Sequence, residues 1–572
     1  MYCRWWTLAF SLLAGVAQAS CPATPTDCPT PVTNPVYINA VDWGVKADGI
    51  TSNDAAMQRA ATACTARGGT MLLPAGQILL TGANSINWQN CKMLGAGIAP
   101  DVYQGTGEWG TTFILTSTSV KPFVVRGSFA VDGVNFYWPN QTGADVYPPL
   151  FSDDGTHGIY GLYVHNTVIV NAYDGFAATL GVDWSNMDMS DSSMYAVNDL
   201  FRFSHSGDSS RIANVHFTHG FWAGLKGYPA VAAYLNTADQ NNTILHITGG
   251  GVEFNFINTT SFAWRYGIKV ESGAAFGNSQ VNGSWDGILT YLDTSAGGCT
   301  PNLILSGAAW VSYTPQFNGS GGVSQLGNAP AINLGAGGVN CHGPQIRGLD
   351  SQSRGSFIVS AGQEVQIEHA NMNVGGAADG NDYYVAHVTG NPGEGLIQVS
   401  DVSAVVGAAA NAHTHGITSD VGLSVFNVMD FRTINFNDSF SVNQNSPLVA
   451  SLTNATFSNT FGANSISVSG TGFLVYGKNI IDKPPIATVS ACGTSPSIAG
   501  ITSGAIFVGS GTVTSCSMTL PFLQWGGTSC LFLPSYNTTL FAGPSGSPPT
   551  WLIRSSSNMA GTQIAYTCNA GR

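Results

Sequence analysis

Apolar and polar residues alternate in short runs along most of this chain, and the one clear departure from that rhythm lies near the front. Between Asn53 and Arg67 the apolar positions Ala55, Ala56, Met57, Ala60, Ala61 and Cys64 recur at helical spacing. Asn53 or Asp54 can cap the start, and Gly68-Gly69 supplies a stop. The pattern predicts a single helix there. "TMLLPAGQILL", from Thr70, then reads as strand, proline turn, strand. Beyond Trp88, strand-like runs return every 20 to 30 residues, several with a shared local signature. Asp132-Gly133-Val134, Asp174-Gly175-Phe176, Asp199-Leu200-Phe201, His219-Gly220-Phe221, Tyr266-Gly267-Ile268 and Asp286-Gly287-Ile288 follow one another at gaps of 42, 25, 20, 47 and 20 residues. These gaps fit one or two turns of a coil of about 20 to 25 residues per turn, the mark of stacked repeats. A parallel β-solenoid also accounts for the helix. The first turn of such a coil exposes unpaired backbone and apolar interior, and an amphipathic helix from Asp54 to Arg67 is placed to cover them. Near Pro484 the rhythm breaks, and residues 484–572 read as a small β-domain with hairpin-like alternation and four cysteines. The solenoid is expected over 36–483.

Composition sharpens this picture. Charged residues make up only 9% of the chain and glycines number 70, a profile that suits disorder, but 44% hydrophobic residues in regular alternation point to many short strands and turns. A net charge of −13 argues against nucleic acid as a partner, because phosphates need a cationic surface. Residues 1–19 carry a basic Arg4, an apolar run from Trp5 to Val16 and Ala17-Gln18-Ala19, which predicts a cleaved export signal and a secreted protein. A Pro/Thr-rich lead-in follows over 20–35, and no later apolar run is long enough to span a membrane. Ten cysteines remain after Cys3, in the local groups Cys21 and Cys28, Cys64 and Cys91, Cys299 and Cys341, and Cys492, Cys516, Cys530 and Cys568. Without a C-x-x-C spacing, disulfides are their expected fate.

The stretch "DWGVKADGITSNDAAMQRA…GGTMLLPAG" resembles the opening motif of the pectate-lyase-like superfamily, in which an aspartate-containing loop leads into a helix, a Gly-Gly strand and a P-x-G turn. The match covers residues 38–80. It implies an all-β, right-handed, single-stranded parallel β-helix with an N-terminal capping helix, here followed by the small disulfide-stapled β-domain. Members of the superfamily include secreted polysaccharide-degrading enzymes and phage tailspikes, so a polysaccharide is the implied partner, and a homotrimer is implied if the chain is tailspike-like.

On a parallel coil, equivalent side chains of successive turns stack about 4.8 Å apart, so residues distant in sequence form one ladder. Asp174, Asp199, His219 and Tyr266, with Lys269 close by, supply the types that glycan hydrolysis needs: one carboxylic acid to protonate the leaving oxygen, one carboxylate to activate water or attack. The polygalacturonase-type members carry, in chain order, an aspartate, an aspartate pair, Gly-His-Gly and Arg-Ile-Lys. Asp174, Asn198-Asp199, His219-Gly220 and Gly267-Ile268-Lys269 follow that order, which implies catalytic roles for Asp174, Asp199, His219 and Lys269. Asn198, Thr218 and Gly267 depart from it. In the competing reading Asp-Gly is a turn and His219 a hydrogen-bonded rung residue.

Other residues are candidates for holding substrate. Six of the thirteen tryptophans lie between Trp138 and Trp310, which points to a sugar-stacking surface with Trp138, Trp184 and Trp222, and with Trp264 and Trp285 as further members. Tyr266 and Arg202 suit sugar and uronate contacts, and Glu253 and Glu271 lie in strand-like runs near aromatic residues. Asp183, Asp188 and Asp191 read as a loop over the groove, a possible Ca²⁺ site through oxygen ligands, or simply a solvated loop, as do Asp153 and Asp154. His413 and His415 share a face but lack a third ligand, so no resident metal is expected. Three functions stay open: a secreted glycoside hydrolase first, then a polysaccharide lyase acting on a uronate polymer, then a non-catalytic glycan-binding solenoid.

Overall fold

The computed structural model describes residues 37–97 and most of 110–569; the longest internal stretches outside the description are 98–109, 219–241 and 310–329. The expected export signal and lead-in lie outside the described residues, as do His219 and Trp222. From Tyr37 to Tyr476 the strands join into one 34-stranded sheet in which every described pairing is parallel. Alternation builds it. One inward column runs Val164, Met189, Ile212, Phe256, Val281, Leu305 and on to Val428, each in register with the next and each fully buried. The chain winds through three sheets per turn, so every turn contributes to a single apolar core.

Turning between sheets demands a backbone that most residues avoid. Asn166, Asp191, Asn214 and Asn258 occupy one corner on successive turns, with φ of 47°, 51°, 54° and 50°. Asn and Asp tolerate this left-handed region because their short polar side chains bond locally. Here the bonds run along the axis: Asn258 Nδ2 donates to Asn214 Oδ1 at 2.8 Å, and Asn214 Nδ2 to Asp191 Oδ1 at 3.4 Å. Asp188 and Asp191 therefore belong to the strand Met187–Ala196, not to an acidic loop over a groove. Its register is set by the sheet, and Asp188 faces Arg211 at 3.4 Å.

The helix Asp54–Arg67 forms where the pattern predicts, with Ala56, Met57, Ala60, Ala61 and Cys64 turned into the core of the first turns, Ala55 left exposed, and left-handed Gly68 ending it. The expected side-chain cap is absent. Asn53 instead binds the backbone of Lys46 in both directions, while Asp54 accepts from the N–H groups of Thr81 and Gly82. These two residues tie the aspartate loop to the next turn. Gly49 has φ +71°, and a Cβ there would meet Gln77 Oε1 at 2.7 Å, which accounts for the glycine after Asp48. Cys64 is bonded to Cys91, pinning the helix to the strand Ile86–Leu94, and Cys299 is bonded to Cys341. No helix among the described residues is long and apolar enough to cross a membrane.

Beyond Tyr476 the pairing changes sign. Two four-stranded antiparallel sheets follow, one built from Thr488–Ser490, Ser515–Thr519, Thr550–Ser555 and Leu540–Ser545, the other from Ser497–Gly500, Ser503–Phe507, Gln563–Asn569 and Ser529–Pro534. Cys516 is disulfide-bonded, and Cys530 lies opposite Cys568 in the antiparallel register.

Candidate active site

One of the three sheets carries most of the predicted site. Its strands Phe176–Ala178, Asp199–Phe203, Thr243–Ile247, Tyr266–Val270 and Thr290–Asp293 lie side by side. Two columns of polar side chains run along them, buried at Asp199, Thr243, Thr290 and Asp293 and partly exposed at Arg202, His246, Tyr266 and Lys269. The first passes from Asp199 through Thr243 and Tyr266 to Thr290, and the second from Arg202 through His246 and Lys269 to Asp293. Phe176 pairs with Phe201, so Asp174 stands one turn before Asp199 in the first column. Inside the same strands, Phe123, Phe151, Phe176 and Phe201 stack with centroids 5.5, 5.3 and 5.2 Å apart, holding the turns in register from within.

Polar contacts knit the columns together. Asp174 Oδ1 accepts from Asn198 Nδ2 at 2.7 Å and from the Asp199 backbone N–H at 3.0 Å. Asp199 Oδ2 faces His246 Nδ1 at 2.8 Å, and His246 Nε2 faces Glu271 Oε1 at 2.9 Å. Lys269 Nζ reaches the same Glu271 oxygen at 2.9 Å, and Arg202 Nε lies 3.9 Å from Asp199. Two ionised carboxylates can only accept, so an imidazole between them satisfies both by donating from both nitrogens, or else one carboxyl carries a proton. Either way His246 holds Asp199 and Glu271 in place.

The electrostatics separate the acids. Asp174 is 8% exposed, and burial, with the Asp199 charge added, pushes its carboxyl up to about 6 against the hydrogen bonds from Asp199 and Asn198. Glu271 is held below the ordinary range by the Lys269 hydrogen bond and then by His246. Burial would lower the Lys269 ammonium, but the Glu271 carboxylate holds it above its usual value. Tyr266 has the Arg265 guanidinium 5.3 Å and the Lys269 ammonium 5.6 Å from its ring centre.

Asp174, Asp199, Lys269, Tyr266, Arg202 and Glu271 thus come together, and the departures from the polygalacturonase pattern acquire reasons. Asn198 donates to Asp174, which an ionised aspartate cannot do. A side chain on Gly267 would run into Trp285 at 2.8 Å and the Tyr291 carbonyl at 2.6 Å, so no arginine fits there. Glu253 is elsewhere: it precedes the strand Phe254–Phe262 and accepts from Asn278. Trp138 and Trp184, expected on a sugar-facing surface, are 0% and 2% exposed, and Trp264 and Trp285 are equally interior. These four tryptophans fill the core, where a large ring gains more than in water. Asp132 and Asp286, which share the Asp-Gly signature, pair with His165 and Phe262 on the other two sheets.

Sequence reasoning missed His246. A signal was there: Asp199-Leu200-Phe201-Arg202, Thr243-Ile244-Leu245-His246 and Tyr266-Gly267-Ile268-Lys269 each place a basic residue three positions after a polar one. The 44-residue step from Asp199 to Thr243 hides it, because its length matches no single turn. Among the described residues, no group of three or more His, Cys, Asp or Glu side chains converges to hold a metal ion.

An unbroken parallel ladder wound into stacked turns under a helical lid, with the aspartate loop at its mouth, decides the architecture. The fold is a parallel β-helix. No protein-family model matches the chain, and no curated protein matches it. Among solved structures it is similar to the tailspike protein of E. coli bacteriophage HK620 in complex with a pentasaccharide, at 12% identity over 93% of each chain and a TM-score of 0.49. It is also similar to the A-module of the mannuronan C-5 epimerase AlgE4 of Azotobacter vinelandii, at 13% identity over 78% of this chain and 100% of that one, TM-score 0.36. The Agl-KA catalytic domain follows at 14% identity over 80% of this chain and 70% of that one, TM-score 0.34.

Proposed function

We propose that this protein is an extracellular polysaccharide-degrading enzyme of the glycoside-hydrolase type, with its substrate laid along the sheet that carries Asp174, Asp199 and His246. The observation that carries this reading is the stacking of Asp174 directly on Asp199 in neighbouring turns, with Asp174 buried and Asp199 held by a histidine. Asp174 then serves as the general acid: a carboxyl titrating near 6 still carries its proton at mildly acid pH. Asp199 serves as base or nucleophile, kept in place by His246. One turn separates the two backbones by about 4.8 Å, closer to the spacing of retaining than of inverting enzymes. Arg202 and Lys269 supply positive charge for an acidic sugar. The disulfides Cys64–Cys91 and Cys299–Cys341 fit an oxidising, extracellular setting.

The test is a panel of neutral, acidic and amino polysaccharides, assayed for new reducing ends and for the ultraviolet absorbance of unsaturated uronates. Reducing ends without that absorbance, abolished in Asp174→Asn and Asp199→Asn variants that still fold, support hydrolysis. Full activity in both variants sinks the assignment. Tyr266 beside two cations favours a second reading, β-elimination with a Tyr266 base, and unsaturated products would select it. Binding without any cleavage would leave a glycan-binding solenoid.

A further inference from the structure

The same two columns become charged again further along the sheet. Between the clusters they carry Thr290 in one and Asp293, Asn333 and Val359 in the other. The pair Tyr384 and His387, spaced three residues apart like Tyr266 and Lys269, then reopens both columns, and Tyr384 is in register with His415 and Asp438 on the next two turns. His415 is bracketed as His246 is: Nδ1 faces Asp438 Oδ2 at 2.6 Å and Nε2 faces Asp382 Oδ1 at 3.5 Å. The Tyr384 ring is stacked on His387 at 4.0 Å and on His415 at 4.9 Å, a half-buried phenol held between two imidazoles on an outer face. A turn that served only to continue the coil could carry threonine or asparagine here, as its neighbours do. Placing three histidines, a tyrosine and several carboxylates side by side costs desolvation without adding to the core.

The charge differs from that of the first cluster. Residues 355–431 hold eight aspartates and glutamates and no lysine or arginine. Asp382 and Asp420 are more than half exposed, and the cations given to them are histidines. A carboxylated sugar would meet these acids with no guanidinium or ammonium to offset it. Hydroxyls, and above all a protonated amino group, would find acceptors beside an aromatic ring.

We infer that the Tyr384–His415–Asp438 cluster is a second saccharide site, taking a carboxylate-free sugar, best an amino sugar, about 19 Å (four turns) along the sheet from Lys269. The inference rests on the polysaccharide reading above. Its test is calorimetric titration of the full chain with a chitosan hexamer, cellohexaose and hexagalacturonate. The chitosan hexamer is expected to bind most tightly, with affinity lowered about tenfold in Tyr384→Ala and again in Asp438→Asn, the loss expected for one aromatic or one charged contact. Tyr384→Phe, which keeps the ring, should bind the hexamer far better than Tyr384→Ala. Should Tyr384→Ala and Asp438→Asn fold and bind all three probes as the parent does, or should hexagalacturonate be the ligand they lose, the site is overturned. Chitosan-hexamer binding by a protein that cleaves no polymer would retain this site and remove only the enzymatic reading.

Discussion

Two stretches of one sheet, Asp174 to Glu271 and Asp382 to Asp438, use the same device, an imidazole held between carboxylates of different turns. They differ in what surrounds it. The first adds a buried carboxyl one turn earlier and gathers Arg202 and Lys269; the second adds a tyrosine stacked between imidazoles and gathers acids. A solenoid makes positions on successive turns nearly equivalent, so one scaffold offers the same geometry twice. The chemistry at each place then depends on which neighbours shift the charge.

That comparison breaks most directly at the acids. Asp199→Asn should cost about 10²- to 10⁴-fold in turnover, whereas Asp438→Asn should leave turnover on a short substrate unchanged. Equal losses in initial-rate assays would erase the distinction. Activity should fall as pH rises through about 6, where Asp174 gives up the proton it must donate. Asn198→Asp should move that limb to higher pH, because it replaces a donor with a further negative charge.

Removing the bridging imidazole comes next. His246→Ala leaves Asp199 and Glu271 without their shared partner and should lower stability by about 1–3 kcal/mol in denaturant titration. An unchanged midpoint would mean that the bridge contributes nothing. The smallest effects are opposite in sign at the two places. Burial would lower the His415 imidazole, but hydrogen bonds and charge from Asp438, with Asp382 adding, hold it above its usual value. Its stabilisation is therefore complete below the ordinary histidine value and fades as pH rises through the raised one. The Tm advantage of the parent over His415→Asn should shrink toward alkaline pH. Glu271 is shifted the other way, so the advantage over Glu271→Gln should be present above the ordinary carboxylate range and shrink toward acid pH. Parallel pH trends would refute the contrast.

Much of the architecture was legible before any coordinates. The Asn53 to Arg67 stripe, the glycine stop and the alternation after Trp88 each follow from local spacing, whereas the pairing of Cys64 with Cys91 does not. Asp174 and Asp199 were legible as a pair because no insertion lengthens the turn between them. His246 was not, because 44 residues separate the rungs at Asp199 and Thr243. The tryptophans were misjudged for another reason. Their abundance says that large rings are needed, but a ring can face either side of a strand, and Trp138, Trp184, Trp264 and Trp285 all face in.

Side-chain periodicity and backbone preference, written into each short segment, were enough to specify strands, corners and a helical lid. Which outward residues meet is a matter of register between turns, and register depends on how much chain each loop consumes, a length that alternation does not encode. Only the wound coil brings Asp199, His246 and Glu271 within hydrogen-bonding distance, and only there does burial beside the Asp199 charge raise the Asp174 carboxyl.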